Sequence, residues 1–212
     1  IRHGQTLYNL ERRIQGSIDI ELSELGVKQA ETVPSEKFLS HYDISYYSPL
    51  SRSQKTLEII LDSKKINVEK KLSKLITERA YGCFEGLQDN VIRSKYPNHY
   101  ESWKSNENTE IEGAETIESV VNRINSFIKN MIIDNHQNIL AVTHSGVLYA
   151  LYKYITKTDL GFRPENIKFP NCCSVYLDIY HTNKVINRLE LQIQDQTYVY
   201  SCGPTEMVVA TS

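Results

Sequence analysis

Residues Asn138 to His144 read Asn-Ile-Leu-Ala-Val-Thr-His, a near-continuous apolar run of the kind that marks a strand covered on both faces. The stretch that follows, Ser145 to Ile155, is helical in pattern. The same succession occurs earlier. Asp43 to Ser48 reads as a strand, and Ser51 to Lys65 as a helix with Leu57, Ile60 and Leu61 on one face. Between these units, Ala114 to Asp134 places Ile117, Val120, Val121, Ile124, Phe127, Ile128 and Met131 at helical spacing, which predicts a crossover helix feeding the strand at Asn138. Near the end, two β-rich stretches, Ser174 to Tyr180 and Lys184 to Ile193, flank His-Thr-Asn and predict a closing antiparallel hairpin. Strand, turn, helix, repeated around a crossover, predicts an α/β fold, mostly parallel, with an antiparallel addition at one edge.

Length and charge narrow this picture. The 212 residues suit a single domain spanning 1–212 that buries a sizeable core. A formal net charge of -2 offers no sequence-wide attraction to nucleic acid or to a membrane surface, so any bound anion must be held by a local cluster of positive groups. No apolar run approaches the length of a membrane span, and the start lacks a signal-peptide pattern, so the expected location is cytoplasmic. Cys83, Cys172, Cys173 and Cys202 have no paired metal-ligand spacing and are read as reduced, structural thiols.

Candidate chemistry sits where the pattern predicts strand ends. Ile1, directly before Arg2-His3-Gly4, reads as the last residue of a buried strand, which places Arg2 and His3 at a carboxyl end. His144 lies at another. Arg52 follows the first strand and opens a helix whose dipole adds to a positive field. Two guanidiniums and two imidazoles in one crevice make an anion site, and the planar fork of arginine matches phosphate oxygens. Gly4 is expected to let the backbone approach that anion without an intervening side chain. A neutral histidine there is a competent nucleophile toward phosphorus, and neighbouring cations help to keep it neutral. Those cations take the part that magnesium plays elsewhere, so no metal is called for. The leaving oxygen needs a proton, and the loop Ile76 to Gly86 offers two carboxyls, Glu78 and Glu85, between which sequence physics does not choose. His41, His99, His136 and His181 lack any supporting motif and read as surface or turn histidines.

These motifs, taken together and in order, resemble those of the histidine phosphatase superfamily, the phosphoglycerate mutase-like proteins. Arg2 to Thr6 with Asn9, Gln15 and Gly16 is similar to the family's opening motif, and Leu22 to Ala30 to its first helix. Ser48 to Thr56 supplies the second arginine, Glu78 to Gly86 the acid loop, Gly113 to Thr116 a helix start, and Thr143 to Gly146 the second histidine. The resemblance covers nearly the whole chain and implies a three-layer α/β/α fold with a mostly parallel mixed sheet. It implies that His3 is the phosphorylated nucleophile, that Arg2, Arg52 and His144 hold the phosphate, and that Glu78 is the proton donor. It also implies that Asn9, Gln15, Gly16 and the backbone amide of Ser145 line the pocket and that an insertion over roughly 79–113 caps the site. Tyr81, within the acid loop, is read as a substrate contact.

Within the family, mutases return the phosphoryl group to substrate and phosphatases pass it to water. The Glu-Arg-Ala-Tyr-Gly stretch resembles the mutase form of the acid loop. Against this, Leu87 to Asn90 offers Asp89 where mutases carry a lysine, no Arg-Arg pair follows before Gly113, and Ser145-Gly146 stands where mutases have Gly-Asn. The expectation is a metal-independent phosphatase acting on a small phosphorylated metabolite through a phosphohistidine, without a cofactor. The alternative is a phosphoglycerate mutase, which needs 2,3-bisphosphoglycerate. A third reading is an inactive relative that binds phosphorylated ligands. The tyrosine-rich apolar edge strands leave room for a homodimer.

Overall fold

The computed structural model describes residues 1–35, 38–162, 167–193 and 196–201. Cys202, read above as a reduced thiol, lies outside the described residues. Three parallel strands form the first sheet: β1 (Ile44–Tyr47), β2 (Lys70–Leu72) and β3 (Ile139–Val142), in the order β2-β1-β3. Helix α1 is the single turn Leu7–Leu10, and α2 (Glu24–Glu31) starts at Ser23, whose side chain accepts from the Gly26 amide. Helix α3 (Ser51–Lys64) leaves β1. In the second unit, α6 (Ile117–Ile133) precedes β3 and α7 (Ser145–Thr156) follows it, with α4 (Asp89–Lys95) and α5 (Pro97–Ser105) lying earlier in the chain. The strand-then-helix units and the crossover helix therefore stand where the apolar periodicity predicts them.

Period-two alternation divides the first sheet between two layers. Leu140 and Val142 pack with Leu57, Ile60 and Leu61 of α3 and Ala30 of α2. Ile44 and Tyr46 turn the other way, against Met131 and Phe127 of α6. Helix α6 buries Val120, Ile124 and Ile128 against α7 and the second sheet.

That second sheet consists of β4 (Val175–Thr182), β5 (Val185–Ile193) and β6 (Gln196–Ser201), antiparallel throughout. It differs from the expected hairpin in two ways. His181 and Thr182 belong to β4, so the turn is only Asn183-Lys184, both at positive φ as a tight two-residue turn requires. A third strand, β6, is also present. Residues Ile1–His3 join the end of β3 to the segment that leads into β4. Arg2 bridges Thr143 in parallel beyond β3, the amide of Arg2 donates to Cys173 O at 3.1 Å, and Cys172 N donates back to Arg2 O at 3.1 Å. Arg2 and His3 thus sit beside the carboxyl end of β3.

Between Tyr81 and Ala114, joined by an antiparallel bridge, the chain builds a small aromatic core of its own from Phe84, Ile92, Tyr100, Trp103 and Ile111. Its tie to the main body includes a buried ion pair between Glu107 and Lys153 of α7, and Arg79 donates to Glu107 O at 3.0 Å. Among the described residues no helix is long and apolar enough to cross a membrane.

Candidate active site

His3 and His144 come from segments 141 positions apart, yet their ring centroids are 5.1 Å apart. Both are fully buried. The stitching of Ile1–His3 onto β3 causes this, because Thr143 and Arg2 are bridge partners and the residue after each is a histidine. His3 Nδ1 lies 2.7 Å from Gly4 O, a contact that a carbonyl accepts only from N–H. The ring proton is therefore on Nδ1, leaving Nε2 with its lone pair. Burial first, then the guanidiniums of Arg2 and Arg52, hold the His3 ring well below its ordinary pKa, so it is neutral at neutral pH. His144 is lowered in the same way, by burial and then by His3 and Arg52.

Arg52, the second residue of α3, is wholly buried and donates to Gly16 O and Ile18 O, both at 2.8 Å. Arg2 donates to Phe169 O. Burial lowers both guanidiniums, but from so high a starting point that both stay charged. Arg2 Nε, Arg52 Nε and His144 Nδ1 are buried without a hydrogen-bond partner among the described residues. These are donors, or in the case of His144 a nitrogen able to become one, held in a positive field. An oxyanion is the ligand that such a set can accept.

Beside these groups is a concavity of about 140 Å³ lined by Arg2, His3, Asn9, Arg13, Ile14, Gln15, Gly16, Glu78, Tyr81 and Trp103. A larger apolar cavity of about 640 Å³ lies elsewhere, against α6 and β4, and contains none of the candidate residues. Asn9 Oδ1 accepts from Thr6 N and Asn171 Nδ2, both at 3.2 Å, and Gln15 Oε1 accepts from Thr6 Oγ1 at 2.8 Å. Each amide oxygen is spent on the protein, so what Asn9 and Gln15 have to offer an anion is their NH₂ groups.

The structure distinguishes the two carboxylates. Glu85 is fully engaged with Ser17 and the Tyr81 amide. Glu78 sits on the wall of the concavity, with Oε1 accepting from Arg79 N at 2.9 Å and Oε2 from Gly146 N at 3.3 Å in the first turn of α7. Ser145, like Arg52 and His144, is not among the residues that line the concavity, and the α7 amide facing a carboxylate is that of Gly146. One expectation needs correction. Gly4 does not open space for a ligand, because a Cβ there would lie 2.5 Å from Gly26 O, so its missing side chain is what allows α2 to pack close. The histidines without a motif stand away from the site: His41 is exposed and pairs with Asp43 at 3.0 Å, and His99 and His181 are also exposed.

Sequence reasoning missed three supporting residues. Ser48 Oγ lies 2.6 Å from His144 Nε2. Asn171 Nδ2 donates to His3 O at 3.0 Å as well as to Asn9. Asp19 Oδ1 accepts from the amide and hydroxyl of Ser51 at 2.8 and 2.7 Å, capping α3 from outside, since Leu50 offers no cap. Only the cap had a signal, a helix start lacking its own N-cap side chain.

A family model for the histidine phosphatase superfamily (branch 1) matches residues 1–192. The chain belongs to that superfamily. Among its relatives, phosphoserine phosphatase 1 of Hydrogenobacter thermophilus is 31% identical over 163 residues, 76% of each chain. A 2,3-bisphosphoglycerate-dependent phosphoglycerate mutase of Cytophaga hutchinsonii is 29% identical, over 79% of this chain and 78% of its own. A mycobacterial glucosyl-3-phosphoglycerate phosphatase, solved with VO3, superposes with a TM-score of 0.75 at 23% identity, over 92% of this chain and 96% of that one. It shows the shared histidine phosphatase fold. Members of the superfamily are phosphatases or mutases, and the identity to a named phosphatase supports that coarse enzyme class for this chain.

The depressed histidines carry a consequence for stability in this superfamily member. The unfolded chain binds protons on His3 and His144 as pH falls below about 6.5, while the buried rings resist protonation, so the unfolded state binds more protons there. Their neutral burial therefore supports the fold above that pH and is lost as pH drops toward the folded values. The melting temperature is expected to fall from pH 7 to pH 5, more shallowly in His144→Gln, as measured by calorimetry across that range.

Proposed function

We propose that this chain is a metal-independent phosphomonoesterase acting on a small phosphorylated metabolite through a phosphohistidine. The observation that carries the reading is His3 itself: neutral, its tautomer set by Gly4 O, and packed among Arg2, Arg52 and His144. His3 Nε2 attacks phosphorus, the N–P bond forms, and the bond to the leaving oxygen breaks as Glu78 gives that oxygen a proton. Glu78, now a carboxylate, takes a proton from water. The new O–P bond forms as the N–P bond breaks, and orthophosphate leaves with His3 neutral again. The two arginines offset charge spread over the phosphoryl oxygens.

The small concavity suits a compact organic group, in keeping with relatives named for phosphoserine and for 2-carboxy-D-arabinitol 1-phosphate. The mutase reading would use the same phosphohistidine and is supported by the Cytophaga relative. Asp89, standing where mutases carry a lysine, is already committed to Lys104 at 3.0 Å and to Tyr100 Oη, which weighs against a carboxylate grip there.

The deciding experiment measures orthophosphate release from phosphoserine, 3-phosphoglycerate and p-nitrophenyl phosphate with a chelator present. Release with at least one of them supports the reading. Interconversion of 3- and 2-phosphoglycerate with little free phosphate assigns a mutase. Activity that disappears with chelator overturns the metal-independent mechanism.

A further inference from the structure

We propose that Glu85 is a positioning residue that sets the register between the phosphate cradle and the acid loop; the inference rests on the reading of His3 and Glu78 given above. Its carboxylate is half-buried and makes three hydrogen bonds: Oε1 accepts from Ser17 N at 2.9 Å and from Tyr81 N at 2.8 Å, and Oε2 accepts from Ser17 Oγ at 2.8 Å. One side chain thus ties two segments 64 positions apart, the loop that borders the phosphate site and the loop that carries the acid. The bond to Tyr81 acts three residues from Glu78. The bonds to Ser17 act beside Gly16, whose carbonyl receives Arg52.

Gly16 shows how closely this contact is built. Its φ is +55°, and a Cβ there would lie 2.0 Å from Glu85 Oε1. The loop has a second tether, Asp19 on the first residue of α3, which fixes it to the helix that carries Arg52. With that end held, Glu85 adds to the backbone pairs Gly86 N to Ile14 O (2.8 Å) and Ile14 N to Leu87 O (3.0 Å), which also hold this stretch to the acid loop, and its side chain joins Ser17 to Tyr81 directly. Its negative charge also falls within range of Arg52 and helps keep that guanidinium charged.

A displaced loop misplaces Arg52 relative to the phosphorus, a defect that acts on every substrate whatever its leaving group. Loss of a proton donor behaves differently, because a good leaving group needs little help. The test compares wild type, Glu85→Ala, Glu85→Gln and Glu78→Gln on p-nitrophenyl phosphate and on an alkyl phosphomonoester, with orthophosphate inhibition and melting temperature measured alongside. Glu85→Ala is expected to lower kcat/KM about 10- to 100-fold, equally on both substrates, and to weaken orthophosphate inhibition. Glu85→Gln, whose amide oxygen still accepts from the two backbone N–H groups, recovers part of both. Glu78→Gln is expected to lose far more on the alkyl ester than on the aryl one.

A Glu85→Ala or Glu85→Gln loss that shrinks on the aryl ester would make Glu85 the acid and overturn the proposal. So would unchanged kinetics. If Glu85→Ala fails to fold, Glu85→Gln alone decides through the same two-substrate ratio. An inactive wild type would instead sink the phosphatase reading on which the proposal stands.

Discussion

His3→Ala protein is expected to release phosphate at about one thousandth of the wild-type rate or less, a loss of about 4 kcal/mol of transition-state stabilisation. Alanine removes the nitrogen proposed to form the N–P bond. His144 is the nearest imidazole, 5.1 Å away between ring centroids, but its Nε2 is engaged with Ser48 Oγ. Because His3 is uncharged in the folded protein, the substitution leaves no unpaired charge behind, but it leaves the buried Gly4 carbonyl without its donor, at about 1–3 kcal/mol. The variant is expected to fold with a lowered melting temperature at pH 7. The comparison is made by stopped assays on one substrate with a chelator present, together with radiolabel trapping of the phosphoenzyme. Wild type retains label through acid-labile N–P linkage and His3→Ala does not. Residual activity above one tenth of wild type would remove His3 from the role assigned to it.

Much of this arrangement was legible because its parts are local patterns. The continuous apolar run of β3, the three-residue and four-residue spacing of α3 and α6, and the strand-end placement of Arg2, Arg52 and His144 each depend on short stretches of sequence. What escaped was long-range and polar. Asn171 reaches back to His3 across 168 positions, Ser48 to His144 across 96 and Asp19 to Ser51 across 32. No periodicity reports which serine or asparagine will meet which partner. The residue pattern left Glu78 and Glu85 open for the same reason. Two carboxylates seven residues apart look alike until Glu78 is seen on the wall of the concavity and Glu85 turned to Ser17 and Tyr81. Gly4 misled because a glycine beside a presumed anion site suggests room for the ligand, while the neighbour that needed the room was Gly26 of α2. Of the thiols, Cys83, Cys172 and Cys173 are free among the described residues, and burial pushes the Cys172 thiol up to about 12, far from a reactive thiolate.

Arg52→Lys tests whether a positive charge alone suffices in the cradle. Lysine keeps the charge but not the fork, and it cannot donate to Gly16 O and Ile18 O together while also facing a phosphoryl oxygen. Two effects therefore combine. The 16–18 loop loses one or both anchors, costing about 1–3 kcal/mol for each buried carbonyl left without a donor. The transition state loses a fixed donor, which is worth about 10²- to 10³-fold in rate. The expected outcome is a fall of at least 10²-fold in kcat/KM, with much weaker orthophosphate inhibition and a lower melting temperature. The separation from His3→Ala is qualitative as well as quantitative. His3→Ala stops phosphoenzyme formation but leaves the guanidiniums able to bind orthophosphate, whereas Arg52→Lys forms the phosphoenzyme slowly and binds orthophosphate poorly. Equal orthophosphate affinity in wild type and Arg52→Lys would show that Arg52 serves the loop and not the ligand. The positive field of the site would then rest on Arg2, whose guanidinium bonds to Phe169 O and keeps its Nε unpartnered.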